Sequence, residues 1–228
     1  MSNTRTYSRH TTVRSGAADQ RADSVVVLDF ETTGLSPGRG DRTIEVGAVL
    51  IEQGRITGRF QQLMNPGFRI DGFIESYTGI TNQMLAKAPP CGEVMEQFVE
   101  FIGDHNLVAH NASFDQRFLD SELQAIRRQY GGSFACSMLI SRRVYPDAPN
   151  HKLGSLVAYK QLANDGVFHR ALADSEMTAQ LWLRILGDIA ARYPSVSLSF
   201  AQMQKLARQS KNAVDRFLSS QCIETHSF

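Results

Sequence analysis

Asp29 and Glu31 stand two residues apart in Asp29-Phe30-Glu31-Thr32-Thr33-Gly34, directly after the apolar run Ser24-Val25-Val26-Val27-Leu28. An apolar run of this kind reads as a buried strand, and in a strand residues i and i+2 point to one face. Two carboxylates then project side by side from the end of a core strand, where they repel each other and lose hydration. On these residues alone two readings stay open: a pair of solvated strand-end acids before a glycine turn, or a site whose repulsion is offset by a hard divalent cation with oxygen ligands. Two further acids have suggestive places. Asp115, in His110-Asn111-Ala112-Ser113-Phe114-Asp115, follows a second short apolar strand and falls in the first turn of a helix, where an acid also suits the helix dipole. Asp174, in His169-Arg170-Ala171-Leu172-Ala173-Asp174, opens a late helix among apolar neighbours, five residues after a histidine. Taken singly, each fits an ordinary amphipathic surface. Together they are four carboxylates and one imidazole, a set suited to two divalent ions about 3.5–4 Å apart that clamp both oxygens of an in-line phosphoryl displacement. Magnesium and manganese accept such ligands, and a histidine can take the proton from water. The chemistry indicated is metal-assisted phosphodiester hydrolysis.

The elements that must position these groups are legible as a pattern. Strands are expected over 24–30, 43–52 and 55–64, the last two joined by the short Gln53-Gly54 connection of a hairpin. Helices are expected over 76–86 and 91–103, separated by Ala88-Pro89-Pro90. A strand at 107–110 leads into a helix over 113–130, with Gly131-Gly132 as its stop. A short strand at 134–136, helices to 144, over 153–162 and over 171–191, and one or two amphipathic helices within 198–220 complete the chain. The order βββ–α–β–α–β–α implies an α/β or α+β layer: a mixed sheet with helices on its faces.

Composition sets the frame. The 228 residues, 42% hydrophobic and 21% charged, suit a globular chain of one substantial domain with an appendage. No apolar run reaches the roughly 20 residues of a membrane span, no secretory h-region is present, and a cytoplasmic location with no membrane partner is expected. The three cysteines, Cys91, Cys136 and Cys222, form no CxxC pair, which points away from a disulfide framework or a zinc site. The net charge of +1 is too small for a protein that coats long duplexes, yet an enzyme gripping a few nucleotides at a metal centre needs no basic excess. Residues 1–22, rich in Ser, Thr, Arg and Gly, are expected to be a disordered polar tail. A body over 23–193 and a helical extension over 194–228 would follow, the extension packing on the body or serving a partner.

The three motifs, in their order, resemble those of the DEDD exonucleases, a family of proofreading-type 3′→5′ exonucleases that includes the epsilon subunit of bacterial DNA polymerase III. The resemblance covers roughly residues 24–190 and extends to Thr78-Gly79-Ile80-Thr81, to Ser141-Arg142-Arg143-Val144-Tyr145-Pro146 and to His151-Lys152-Leu153-Gly154-Ser155-Leu156. One subclass carries a tyrosine four positions before the last aspartate. That position is Arg170 here, whereas His169 matches the histidine subclass. The resemblance implies a ribonuclease H-like exonuclease fold with a mixed sheet of about five strands flanked by helices. It implies two ions, Mg²⁺ or Mn²⁺: one held by Asp29, Glu31 and Asp174, a second between Asp29 and Asp115, with His169 as general base. Phe30, Thr32, Thr33, Gly34 and Leu35 would receive the terminal nucleotide. His110 and Asn111 would either touch substrate or order the turn before the helix. The implied reaction releases nucleoside 5′-monophosphates from single-stranded or frayed 3′ ends, DNA favoured over RNA, with a DNA polymerase as a partner. Two alternatives remain beside it: an exoribonuclease that trims RNA 3′ ends, and a polymerase-docking module with secondary exonuclease activity.

Overall fold

The computed structural model describes residues 20–163, 170–194 and 196–221. Three antiparallel strands come first: β1 (Val25–Thr32), β2 (Thr43–Glu52) and β3 (Arg55–Leu63). Next come two short helices, α1 (Gly72–Thr78) and α2 (Asn82–Leu85), and the longer α3 (Cys91–Ile102). Strand β4 (Asn106–Ala109), helix α4 (Ser113–Ala125), strand β5 (Phe134–Cys136) and helix α5 (Ser137–Val144) follow. The chain continues through α6 (Leu153–Tyr159), α7 (Ala171–Arg192), α8 (Phe200–Ala207) and α9 (Val214–Ser219). The five strands form one mixed sheet in the order β3-β2-β1-β4-β5. β1 pairs antiparallel with β2 and parallel with β4, so the expected mixed five-stranded layer is present.

Alternation along β1 builds two cores. Val26, Leu28 and Phe30 face Phe98 of α3 and Phe118 and Leu119 of α4. Val25 and Val27 face the opposite layer, where Trp182 and Ile185 of α7, Ile140 of α5 and Leu156 of α6 are buried. Phe200, Met203 and Leu206 of α8 and Val214 and Leu218 of α9 bury themselves in that second core, so these helices pack on the body. The body also reaches back to Gln20, whose carbonyl accepts from Phe200 N–H at 2.8 Å, and the buried Trp182 indole N–H donates to the Ala22 carbonyl at 2.8 Å. The rest of the expected polar tail, residues 1–19, lies outside the described residues. No described helix is long and apolar enough to cross a membrane.

Among the boundaries that differ from expectation, including α6, which ends at Tyr159 and not at 162, three have clear local reasons. The single helix expected over 76–86 is two. Asp71 caps α1 by accepting from Ile74 N–H at 3.0 Å, Gly79 ends it at φ 72°, and Thr81 starts α2 by accepting from Met84 N–H at 3.2 Å. Helix α4 stops before its glycines: Arg127 takes φ 57° and Arg128 N–H returns to the Leu123 carbonyl at 2.9 Å, a left-handed termination made without glycine. Strand β1 runs on to Thr32 because β2 stays paired with it that far, Asp29 opposite Gly47 and Glu31 opposite Glu45.

Candidate active site

β4 pairs with β1 only from Val25 to Val27. Beyond that point β1 keeps one neighbour, β2, and this half-supported stretch carries Asp29 and Glu31. Both lie on the parity of Val25 and Val27 and therefore face α7. The sheet edge left by β4 is taken over by α4. Its Asp115, 2% exposed, accepts from Phe30 N–H at 3.3 Å, so a side chain stands where the next strand would have supplied an acceptor.

Asp174 arrives from the other layer, in the first turn of α7, with its N–H bonded to the Arg170 carbonyl at 3.0 Å. The helix can come this close because residue 47 has no side chain. A methyl group there would overlap the Ala171 carbonyl and the Leu172 amide nitrogen. Ser175 Oγ then donates to the Gly47 carbonyl at 2.9 Å. As a result one carboxylate oxygen from each of Asp29, Glu31 and Asp174 lies within 4.8 Å of the others. Asp115 sits behind this group, close enough for its charge to be the largest single one acting on Asp29. The three acids open into a cleft of about 860 Å³ that is also lined by Phe30, Thr32, Thr33, Gly34, Leu35 and His110. Asn111 does not line it. That residue is exposed, at φ 73°, and its carbonyl accepts from Phe114 N–H at 2.9 Å, which is the turn-ordering alternative for this position. His110 bridges the two roles: Nδ1 meets Ser137 Oγ and Nε2 meets the His151 carbonyl, each at 2.9 Å, and burial pushes its pKa down to about 4. It is a neutral, fixed wall of the cleft at neutral pH. His169 lies outside the described residues.

Electrostatics set the character of the cluster. Burial, and after it the charges of Asp115, Glu31 and Asp174, hold the Asp29 carboxyl well above the usual carboxylate range. Glu31 is pushed up to about 8 by burial and by Asp174 and Glu45, with Arg170 opposing. Asp115 is pushed up to about 8 by burial, against hydrogen bonds from the backbone that favour its ionised form. Converging, half-desolvated carboxylates that resist ionisation together are a donor set fitted to a hard divalent cation, which these residues could hold. A pH dependence follows. The unfolded carboxyls titrate near pH 4, roughly four units below Glu31 and Asp115 in the fold. Between these values the folded chain keeps protons that the unfolded chain has released, so stability falls as pH rises and levels off above the folded values. Thermal unfolding in chelator should therefore show Tm falling between about pH 5 and pH 8, with Mn²⁺ restoring it at the upper end. A Tm in chelator that stays level or climbs over that range would count against a repelling cluster.

Some residues of the cleft were not among the expected ones. Phe73, 72% exposed, and Tyr77 stack on one face of α1 with ring centroids 5.9 Å apart and planes at 13°. The signal for them is Asp71-Gly72 as a helix start, which puts an aromatic pair at i, i+4 spacing beside the cleft. Glu45 and Gly47 of β2, which do not line the cleft but contact the start of α7 beside it, were equally unmarked. A glutamate inside an otherwise apolar strand was the available sign. Cys91, by contrast, is a core thiol whose pKa is raised to about 11 by burial, and it has no part in the cleft.

A five-stranded mixed sheet between helical layers, with clustered acids where the central strand outruns its parallel neighbour, defines a ribonuclease H-like nuclease domain. The family model described as Exonuclease matches residues 26–182. The chain belongs to that family and carries a 3′→5′ exonuclease domain of the histidine DEDD subclass. It is 33% identical to DNA polymerase III subunit epsilon of Aquifex aeolicus over 169 residues, 74% of this chain and 83% of that protein. It is 37% identical to the 3′-5′ exonuclease DinG of Bacillus subtilis over 193 residues, 83% of this chain but only 20% of that much longer protein. Among solved structures, Exonuclease X in complex with 5′ overhanging duplex DNA superposes with a TM-score of 0.63 at 26% identity, covering 80% of this chain and 99% of that one.

Proposed function

We propose that the domain removes nucleotides from DNA 3′ ends by metal-dependent hydrolysis, releasing nucleoside 5′-monophosphates. The observation that carries this reading is the convergence of Asp29, Glu31 and Asp174 within 4.8 Å at the floor of an open cleft. Two ions, Mg²⁺ or Mn²⁺, held by Asp29, Glu31 and Asp174 on one side and by Asp29 and Asp115 on the other, would supply the positive charge for water activation and for the leaving 3′ oxygen. His169, five residues before Asp174, is assigned the removal of the proton from the attacking water. Thr32, Thr33 and Gly34 bring backbone groups to the cleft for the terminal sugar, with Leu35, 74% exposed at its rim, as the apolar contact for the last base. The flat pair Phe73 and Tyr77 offers π-faces to any base, which suits recognition of a frayed strand without sequence preference.

DNA is favoured over RNA by the likeness to DNA polymerase III subunit epsilon and to Exonuclease X, whose solved structure holds duplex DNA. The match to the epsilon subunit favours a polymerase partner. One experiment tests these assignments: 5′-labelled single-stranded DNA, frayed duplex DNA and RNA of one sequence, incubated with the protein in Mg²⁺ and in Mn²⁺. A ladder shortening from the 3′ end, faster on DNA and at least about a hundred-fold slower with His169→Ala, is expected. Preferential shortening of RNA would overturn the substrate assignment, and an unimpaired His169→Ala would overturn the role of the histidine.

A further inference from the structure

Directly beside the acidic cluster lies another buried glutamate, Glu45, with a different set of partners. Glu45 is fully buried and stands opposite Glu31 across the β1–β2 ladder. Its oxygens are already engaged. Oε1 accepts from an Arg170 terminal guanidinium nitrogen at 2.8 Å and from Gln61 Nε2 at 2.9 Å. Oε2 accepts from Arg170 Nε at 3.1 Å and from Ala171 N–H at 3.1 Å. Four donors on one carboxylate leave it little capacity to ligate a metal, and it lies outside the group of three oxygens that converge.

Three of those donors belong to the start of α7, and the fourth, Gln61, comes from β3. Arg170 is the residue that precedes the helix, Ala171 is its first residue, and the Arg170 carbonyl accepts the Asp174 N–H at 3.0 Å. One continuous path of bonds runs from the Glu45 carboxylate through Arg170 to the backbone of Asp174. We propose that Glu45 is a positioning residue: with Arg170 it clamps the first turn of α7 to the sheet and so sets where the Asp174 carboxylate meets Asp29 and Glu31. The inference rests on the metal-dependent reading of the site. The two-pronged guanidinium–carboxylate geometry fixes direction as well as distance, which a lysine at 170 does not reproduce. Groups that orient ligands from behind are worth about 10–100-fold in metal affinity.

The test uses the full chain and reads metal binding directly, by loss of the free-ion EPR signal of Mn²⁺ on titration, beside turnover of a DNA oligonucleotide. Glu45→Gln is expected to weaken Mn²⁺ binding about ten-fold or more, and Arg170→Lys by a smaller factor. In turnover, the Mn²⁺ concentration giving half the maximal rate should rise while the rate at saturating Mn²⁺ largely recovers. A purely structural role would instead lower the saturating rate with the folded fraction and leave the half-saturating concentration in place. Should Glu45→Gln fail to fold, Arg170→Lys decides the matter, since Arg170 is partly exposed and its replacement keeps the charge. Asp174→Asn is the reference. Weak Mn²⁺ binding in Asp174→Asn with wild-type affinity in the Glu45 and Arg170 variants overturns the positioning role alone. Wild-type affinity in Asp174→Asn overturns the reading of the site itself.

Discussion

Asp29→Asn should abolish exonuclease activity while making the metal-free protein more stable. The two effects have opposite signs because one residue serves opposed demands. In the absence of a cation Asp29 is the most crowded acid of the cluster, facing the charges of Asp115, Glu31, Asp174 and Glu45 from a buried position. Replacing the carboxylate by an amide of the same shape removes that repulsion and the cost of desolvating the charge. A gain of about 1 kcal/mol or more, roughly 2–4 °C in Tm for a chain of this length, is expected in chelator at about pH 8. The same substitution removes the acid shared by both proposed ion positions. Several kcal/mol of transition-state stabilisation go with it, so the rate should drop on the order of a thousand-fold or more. The rise in Tm on adding Mn²⁺ should shrink with it. Three measurements suffice: Tm in chelator, Tm in Mn²⁺, and shortening of a labelled oligonucleotide. A variant that degrades DNA at the wild-type rate would sink the site. One that is inactive and also less stable in chelator would show that Asp29 is held by partners, not opposed by neighbours.

Asp29, Glu31 and Asp174 were legible from the sequence because their types and order suit a metal-ligand set, and strand parity after the apolar run Val25–Leu28 puts Asp29 and Glu31 on one face. The sheet was legible for the same reason: β2 and β3 are long strands joined by a two-residue turn, and their pairing is local. What escaped depends on where elements stop relative to one another. Asp115 could be placed in the first turn of a helix. Its bond to Phe30 N–H exists only because β4 releases β1 after Val27, a termination that no pattern within β1 encodes. Glu45 stands out as an acid inside the apolar run of β2, but its partner Arg170, 125 residues later, meets it only in the folded chain. Phe73 and Tyr77 were hidden by a helix start placed at 76 in place of Gly72, since the left-handed break at Gly79 divides what composition presents as one helical stretch. The cluster's residues are thus written in sequence, and its support is written in tertiary contact.

That support is most exposed at Gly47, and Gly47→Ala is the substitution expected to do the most damage for its size. A methyl group at this position overlaps the Ala171 carbonyl and the Leu172 amide, which are backbone atoms with no rotamer to escape into. Either β2 bends away from β1 at the Asp29–Gly47 pair or the start of α7 lifts off the sheet. Either movement breaks the 2.9 Å bond from Ser175 Oγ to the Gly47 carbonyl. Lifting α7 also strains the Glu45–Arg170 clamp and moves Asp174 away from Asp29 and Glu31. Overpacking of this kind costs about 3 kcal/mol, roughly 6–12 °C in Tm. A misplacement of about 1 Å at a reacting centre costs on the order of a hundred-fold in rate. Gly187→Ala is the internal control. Gly187 lies within α7 with open space around its Cα, so alanine there should be neutral or add up to about 1 kcal/mol through helix propensity. The expected pattern is a Gly47→Ala protein with lowered Tm, weakened Mn²⁺ binding and reduced turnover, beside a Gly187→Ala protein that matches or exceeds the wild type in all three. If Gly47→Ala keeps the wild-type Tm and rate, α7 does not need its close approach to the sheet, and the three carboxylates must converge by some other constraint.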